Sequence, residues 1–464
     1  MTTSTHEAKP DARLKRTALF VAVLSSFLTP FMGSSVNIAL PTIGRRFEMD
    51  AVLLSWVSSA YLLAAAISLV PVGKLADSHG RKRVFTCGIA LDILSSVLAA
   101  SAPSSSVLIV ARFLQGVGGA MIFGTSIAIL TSVFAPGDRG RVLGCTVASV
   151  YTGLSLGPVL GGLLVETFGW RTVFLSYLPF QAIVFYLALC RLEGEWAESR
   201  GDKFDLVGAA IYGVSLILCM LGLSGLSEVK GAGLLCLGVI ATVCFVRWET
   251  AQQYPVLEMK LFRGNRAFAF SNLAAFLHYS ATFAVGFLLS LYLQYIKGMN
   301  AEHAGRVLIA QPIMMALFSP VAGRLSDRVE PRLVASTGMA FTVAGLSLLL
   351  RLTFQSSQCY IVCCLLLLGF GFALFSSPNS NAIMSSVDRR FYGVAAGLLS
   401  TMRVTGQMFS MGVSVLVFAL IIGAQKITPA TYPHLMQSTR VLFGIFTVLC
   451  FGGIFASLSR GDVR

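Results

Sequence analysis

Apolar runs of about twenty residues recur along this chain from Thr17 to Leu458, separated by short polar breaks, and no other feature constrains the fold as strongly. A helix of that length crosses the ~30 Å hydrocarbon core of a bilayer. In lipid, only helices and closed barrels satisfy all their backbone polar groups, and continuous apolar runs read as helices. The expectation is an all-α integral membrane protein. Composition supports it: 55% of the 464 residues are hydrophobic and 12% are charged, whereas soluble domains carry about 25% charged residues.

Spans are expected near residues 17–40, 52–72, 84–101, 106–134, 142–165 and 169–190, then 206–224 and 231–247, then 267–294, 304–323, 333–350, 358–380, 391–423 and 437–458. The pattern is six, two, six. It divides the chain into a tail at 1–16, an N-terminal six-helix bundle at 17–191, a linker with two additional spans at 192–266, a C-terminal six-helix bundle at 267–460 and a tail at 461–464. Of the 35 Lys and Arg, 24 fall on the side of the first tail and 9 on the other, while Arg112 and Arg403 lie inside spans. That asymmetry places both termini in the cytoplasm, in a plasma (inner) membrane. The net charge of +14 therefore reads as orientation and not as a nucleic-acid surface. The ten cysteines sit in apolar runs or at their ends without metal-ligand spacing, so neither a metal nor a cofactor is expected.

The two six-span blocks echo each other. GKLADSHGRKR lies between spans two and three, and GRLSDRVEPR lies at the equivalent place in the later block. Repeated halves of this kind are the architecture of transporters with a midplane site between the halves. Within the first loop, Gly73 and Gly80 are expected to permit a tight turn, Asp77 to cap or face a helix N-terminus, and Arg81 to anchor the turn; a plain basic topology loop is the alternative. The spacing and its echo resemble the cytoplasmic loop signature of the major facilitator superfamily. That resemblance implies a conformational-switch loop of Gly73, Asp77, Gly80 and Arg81 that latches the halves together.

Further segments carry the same resemblance over almost the whole chain. LIVARFLQGVGGA, with Arg112, Gln115 and Gly116, is similar to the family's span-four arginine motif. GLSLGPVLGG, with Gly153, Gly157, Pro158, Gly161 and Gly162, is similar to its antiporter motif, although close packing of small residues explains such a pattern equally well. VNIALPTI, GWRTVFL and SLYLQYIKGMNAEHAG agree, and the extra central pair matches the fourteen-span drug:proton antiporter branch. One position departs from that branch: the acidic residue expected five positions before Asn37 is Met32.

Few ionisable groups remain at membrane depth, where each is costly and so is a functional candidate. Asp92 is the one acid deep in a span and the leading proton-coupling candidate, with pairing to a polar neighbour as the alternative. His278 is the second, with a hydrogen-bonded packing role as its alternative. Arg112 and Arg403 require an anionic or carbonyl partner or a watery cavity. Met32, Asn37, Arg112, Gln115, Asn379, Asn381 and Arg403 are the expected substrate-cavity residues. The 33 Phe and 15 Met would suit a lipophilic solute or simply face lipid.

These features point to a secondary active transporter that exports a small lipophilic organic compound or drug in exchange for protons, acting as a monomer. With no P-loop, an ion gradient must supply the energy. A transporter of organic anions or zwitterions with altered coupling is the alternative within transport, and a non-transporting sensor is the alternative outside it. No nucleophile–base pair at membrane depth argues for an enzyme.

Overall fold

The computed structural model describes residues 12–196, 204–226, 228–252, 255–388 and 391–461. Of the orienting charges, Lys9, Arg200, Lys203, Arg389, Arg390 and Arg464 lie outside the described residues, as does most of the 1–16 and 461–464 tails. Among the described residues, fourteen helices are long and apolar enough to cross a membrane: α1 Ala12–Arg46, α2 Ala51–His79, α3 Arg81–Ala100, α4 Ser105–Val133, α5 Asp138–Phe168, α6 Arg171–Cys190, α7 Leu206–Ser224, α8 Val229–Ala251, α9 Arg266–Ile296, α10 Ala301–Ser326, α11 Pro331–Leu349, α12 Gln358–Ser385, α13 Tyr392–Ile421 and α14 Pro429–Ser459.

The helices overrun several apolar windows because the polar residues flanking each run continue the backbone ladder into the headgroup zone, which thickens the bilayer to ~40–45 Å. The breaks supply N-caps. Asp50 Oδ1 accepts from the Leu53 N–H at 2.7 Å, and Asn300 Oδ1 from His303 at 2.9 Å. Each satisfies an otherwise orphaned donor at a helix start.

Lipid tails are as apolar as leucine, so helix association in a bilayer rests on close packing and hydrogen bonds. The antiporter-like motif shows this most plainly. A Cβ at Gly153 would lie 2.3 Å from the Phe27 carbonyl oxygen, one at Gly157 1.9 Å from Ser34 Oγ, and one at Gly161 2.7 Å from Ser35 Cβ. Only glycine allows α5 to approach α1 this closely, and Ser35 Oγ donates to the Gly157 carbonyl at 2.9 Å. Glycines also bring α4 onto α2 at Gly116 and Tyr61, and α11 onto α12 at Gly338 and Gly371.

The central pair, α7 and α8, packs through Gly222, Gly231 and Gly238. It leans on both blocks, as Tyr212 Oη donates to the Ala66 carbonyl on α2 at 3.1 Å and Gly412 of α13 rests on Met220. Exposed Leu237, Val239, Ile240 and Val243 leave much of α8 facing outward.

The first six helices and the last six are sealed together in the membrane half away from Ala12. Ser290 Oγ donates to the Asn37 carbonyl at 2.7 Å, Gln294 Nε2 to Ile38 at 3.0 Å and Tyr295 Oη to Pro41 at 3.2 Å. Gln294 and Tyr295 lie in a π-helical turn, Tyr292–Ile296, that ends α9 and turns their side chains onto α1. Two glycine contacts join α5 to α10: Gly162 against the Ala301 carbonyl and Gly305 against the Pro158 carbonyl. Past the helix ends, Asp50 and Lys426 form an isolated antiparallel bridge, and Lys426 Nζ donates to Glu48 Oε2 at 2.7 Å. That hydrogen bond and charge hold the Glu48 carboxyl below its ordinary range, so the contact is complete at neutral pH and is lost as acid protonates Glu48.

Gly157→Val is expected to destabilise the detergent-solubilised protein by about 1–3 kcal/mol through overpacking against α1. Gly144→Ala, where a Cβ meets nothing within 4 Å, should be neutral or slightly stabilising. Denaturant unfolding of the two variants checks the contrast, and equal behaviour would remove the close-approach account.

Candidate functional site

The loop between α2 and α3 is built differently from the sequence expectation in three respects. Gly73 lies inside α2, two turns before its end, and takes no part in a turn; Gly80 alone turns the chain, at φ +112°. Arg81 is no surface anchor. It is buried, with Nε and Nη2 donating to Asp77 Oδ1 at 3.0 and 2.8 Å and Nη1 to Ser132 Oγ on α4 at 2.7 Å. Asp77 thus takes its own neighbour's guanidinium, and the α3 N-terminus is satisfied from elsewhere. Glu195, in the segment after α6, fits against the bare face of Gly80 and accepts from the Lys82 N–H at 2.9 Å, while the Trp196 carbonyl accepts from Arg81 N–H at 2.8 Å. An anion there also complements the helix dipole.

Deeper in the first block, Asp92 and Arg112 belong to one buried chain. Arg112 Nε donates to the Val57 carbonyl at 3.2 Å, and its Cζ sits 4.5 Å from the Tyr61 ring centroid. Arg112 Nη1 donates to Gln115 Oε1 at 2.7 Å, and Gln115 Nε2 to Ser96 Oγ at 2.6 Å. Ser96 Oγ lies 2.7 Å from Tyr177 Oη and 2.6 Å from the Asp92 carbonyl oxygen. Tyr177 Oη and Gln181 Nε2 both donate to Asp92 Oδ2, at 2.6 and 2.7 Å. Tyr177 commits its hydrogen to the Asp92 carboxylate, so the single Ser96 hydrogen is shared between Tyr177 Oη and the Asp92 carbonyl oxygen. Arg112, Gln115 and Tyr177 each donate in the direction of the anion, an arrangement in which neighbouring bonds polarise one another.

Tyr177 occupies the break in α6 between Arg171–Ser176 and Leu178–Cys190, just before Pro179. The chain therefore ends on a joint in the helix. Arg112, Gln115 and Asp92 are 2%, 1% and 7% exposed, and all the partners named lie on α2, α3, α4 and α6, so the chain faces the interior of the first block.

Other candidates divide similarly. Met32 is buried, and half-buried Asn37 accepts from Ser58 Oγ at 3.1 Å beside the seal. Asn379 points into the second block, donating to the Ser271 carbonyl at 3.1 Å and accepting from Arg460 Nη1 at 3.0 Å. Burial lowers the Arg460 pKa to about 10, opposed by the Glu330 charge, so it stays cationic at neutral pH. Asn381 donates to Ser326 Oγ at 2.6 Å. His278 is fully buried, with its ring stacked 4.0 Å from Phe375, and neither nitrogen has a hydrogen-bond partner among the described residues. Arg403 is half-buried at the junction, with Cζ 5.2 Å from the Tyr279 ring centroid.

Comparison with known proteins decides the family. The sequence model of the Major Facilitator Superfamily matches residues 22–411. The chain belongs to this superfamily. It is 30% identical over 388 residues to the riboflavin transporter RibZ of Clostridioides difficile (strain 630), covering 83% of this chain and 84% of that protein. It is 30% identical over 409 residues to the multidrug resistance protein Stp of Mycobacterium tuberculosis (strain CDC 1551 / Oshkosh), covering 87% and 75%. The crystal structure of the peptide transporter POT in complex with sulfate superposes with a TM-score of 0.71 at 15% identity, over 96% of this chain and 95% of that one, which shows the fold.

As a superfamily member the chain is a multi-pass secondary transporter of small molecules and not an enzyme. The sequence pattern missed the groups that complete its polar chains: Tyr177, Gln181 and Ser96 around Asp92, and Glu195 at the loop. The signal was present for Gln181, a lone amide inside the apolar run of α6. Nothing local marks Glu195.

Asp92→Asn and Arg112→Gln should couple although no direct contact joins them. In a double-mutant cycle of denaturant unfolding, the interaction energy is expected to exceed about 0.5 kcal/mol; strict additivity would show that the chain is not one network.

Proposed function

We propose that this protein is a proton-coupled exporter of a small, largely apolar organic compound, working by alternating access as a monomer with both termini in the cytoplasm of the plasma membrane. The observation that carries the reading is the seal between the blocks. It consists of hydrogen bonds to backbone carbonyls and glycine contacts at one membrane half, all separable without unpacking either block. We take this state to be closed to the outside and open toward the face bearing Ala12. Relatives named for drug resistance and for antibiotic export, the multidrug resistance protein Stp and the cephamycin export protein CmcT of Amycolatopsis lactamdurans, support the efflux direction.

Coupling is assigned to Asp92. As a carboxylate it accepts from both Tyr177 and Gln181 on one oxygen. A proton on Oδ2 takes one of the lone pairs those partners share and adds a donor there, so one of them turns away, and Tyr177 sits where α6 is already broken. The reorganisation passes along Ser96 and Gln115 to Arg112, whose Nε is tied to the backbone of α2, a helix that packs against α13 of the other block. Protonation at a buried site is thereby linked to the junction without a charge crossing it.

Purified protein in liposomes with an imposed pH gradient tests this. Export of a lipophilic substrate should rise with the gradient in wild type, and Asp92→Asn should still bind substrate but lose the dependence on the gradient. Flux that ignores collapse of the gradient in wild type would exclude proton coupling.

A further inference from the structure

The two arginines embedded in spans are treated in opposite ways. Arg112 is bound into the first block, whereas Arg403, on α13, faces the junction between blocks. Gly406 lets α13 approach α9, since a Cβ there would lie 2.7 Å from the Phe276 carbonyl oxygen and 3.2 Å from Tyr279 Cβ. That approach lays the Arg403 guanidinium over the Tyr279 ring. Tyr151, on α5 of the other block, is buried at the same place, with Tyr279, Arg403, Ser319 and Ser376 as its neighbours. Tyr279 Oη is itself 3.5 Å from Ser376 Oγ.

A guanidinium, two phenols and two serine hydroxyls thus converge from both blocks at mid-depth. Among the described residues Arg403 forms no ion pair. Met32 is apolar and buried, and the mid-span acid, Asp92, is held by Tyr177 and Gln181 inside the first block. A guanidinium at this depth calls for a counter-charge that the surrounding side chains do not supply. Its planar fork matches a carboxylate or sulfonate, and its flat face and the tyrosine rings match an aromatic system.

We propose that Arg403, Tyr279 and Tyr151 form the charge-reading part of the substrate site, and that the solute is a planar aromatic compound bearing one anionic group. This deepens the transport reading and rests on it. The ring lies between Tyr151 and Tyr279, and the anion takes the outer edge of the Arg403 guanidinium. Because one tyrosine comes from each block, a bound ring tethers the two halves at the point about which they rock.

Three probes matched in shape separate the possibilities: naphthalenesulfonate, naphthol and naphthyltrimethylammonium, each titrated into the full-length protein in phosphatidylcholine nanodiscs by calorimetry. Wild type should bind the sulfonate at least about tenfold more tightly than the ammonium, with naphthol between them. Arg403→Gln should abolish that ranking, Arg403→Lys should keep part of it, and Tyr279→Leu should weaken all three. A wild type that prefers the ammonium, binds no sulfonate, or keeps its preference after Arg403→Gln overturns the proposal. If Arg403→Gln does not fold, the wild-type ranking and Arg403→Lys decide. Flux of the same probes in liposomes is read separately: correct ranking in binding without flux would leave the site standing and remove the transport reading, and flux led by the ammonium would do the reverse.

Discussion

The absence of a hydrophobic drive between helices in lipid is the constraint from which the rest of this structure follows. Helices here adhere where side chains are missing or where a hydroxyl or amide reaches a backbone carbonyl. The segment Gly153 to Gly162 uses this twice. One edge, Gly153, Gly157 and Gly161, holds α1 inside the first block, and Gly162 with the Pro158 carbonyl meets α10 of the second. A permanent contact and a breakable one are made from the same chemistry on one helix. They differ in extent, because α1 and α5 pack over a larger surface than α5 and α10.

Charge placement obeys a second economy. A carboxylate and a guanidinium buried in one bundle are joined through uncharged side chains instead of in direct contact, so each is hydrogen-bonded while neither neutralises the other outright. Such a chain responds to a single proton, whereas a direct ion pair would resist it. Arg403 has no such chain, and its exposure at the junction is what a solute-reading cation requires.

Much of the fold was legible because span length and polarity are local properties: fourteen apolar runs with caps at their breaks translate directly into fourteen helices among the described residues. The costly residues were legible too, since Asp92, Arg112, His278 and Arg403 stand out against apolar neighbours. Their directions were not. Gln115 and Asn379 look alike in sequence to cavity-facing amides, yet one turns to Ser96 and the other to Ser271, because a helix face is chosen by packing partners that lie tens to hundreds of residues away. Gly73 and Gly80 are the same residue in one motif. Only the backbone φ of Gly80, set by the docking of Glu195, separates a turn from a helix interior. Tyr151 and Tyr279 carry no signal among 12 tyrosines until the fold brings both beside Ser376.

The central claim is that two six-helix blocks move against each other about a midplane solute site. Spin-label distances between the blocks test it most directly, with one pair replacing Asp50 and Lys426 at the sealed face and a second pair placed at the opposite ends of α4 and α12. As pH and substrate are varied, the account predicts that one distance lengthens while the other shortens. Distances that stay fixed, or that lengthen together at both faces, would contradict it.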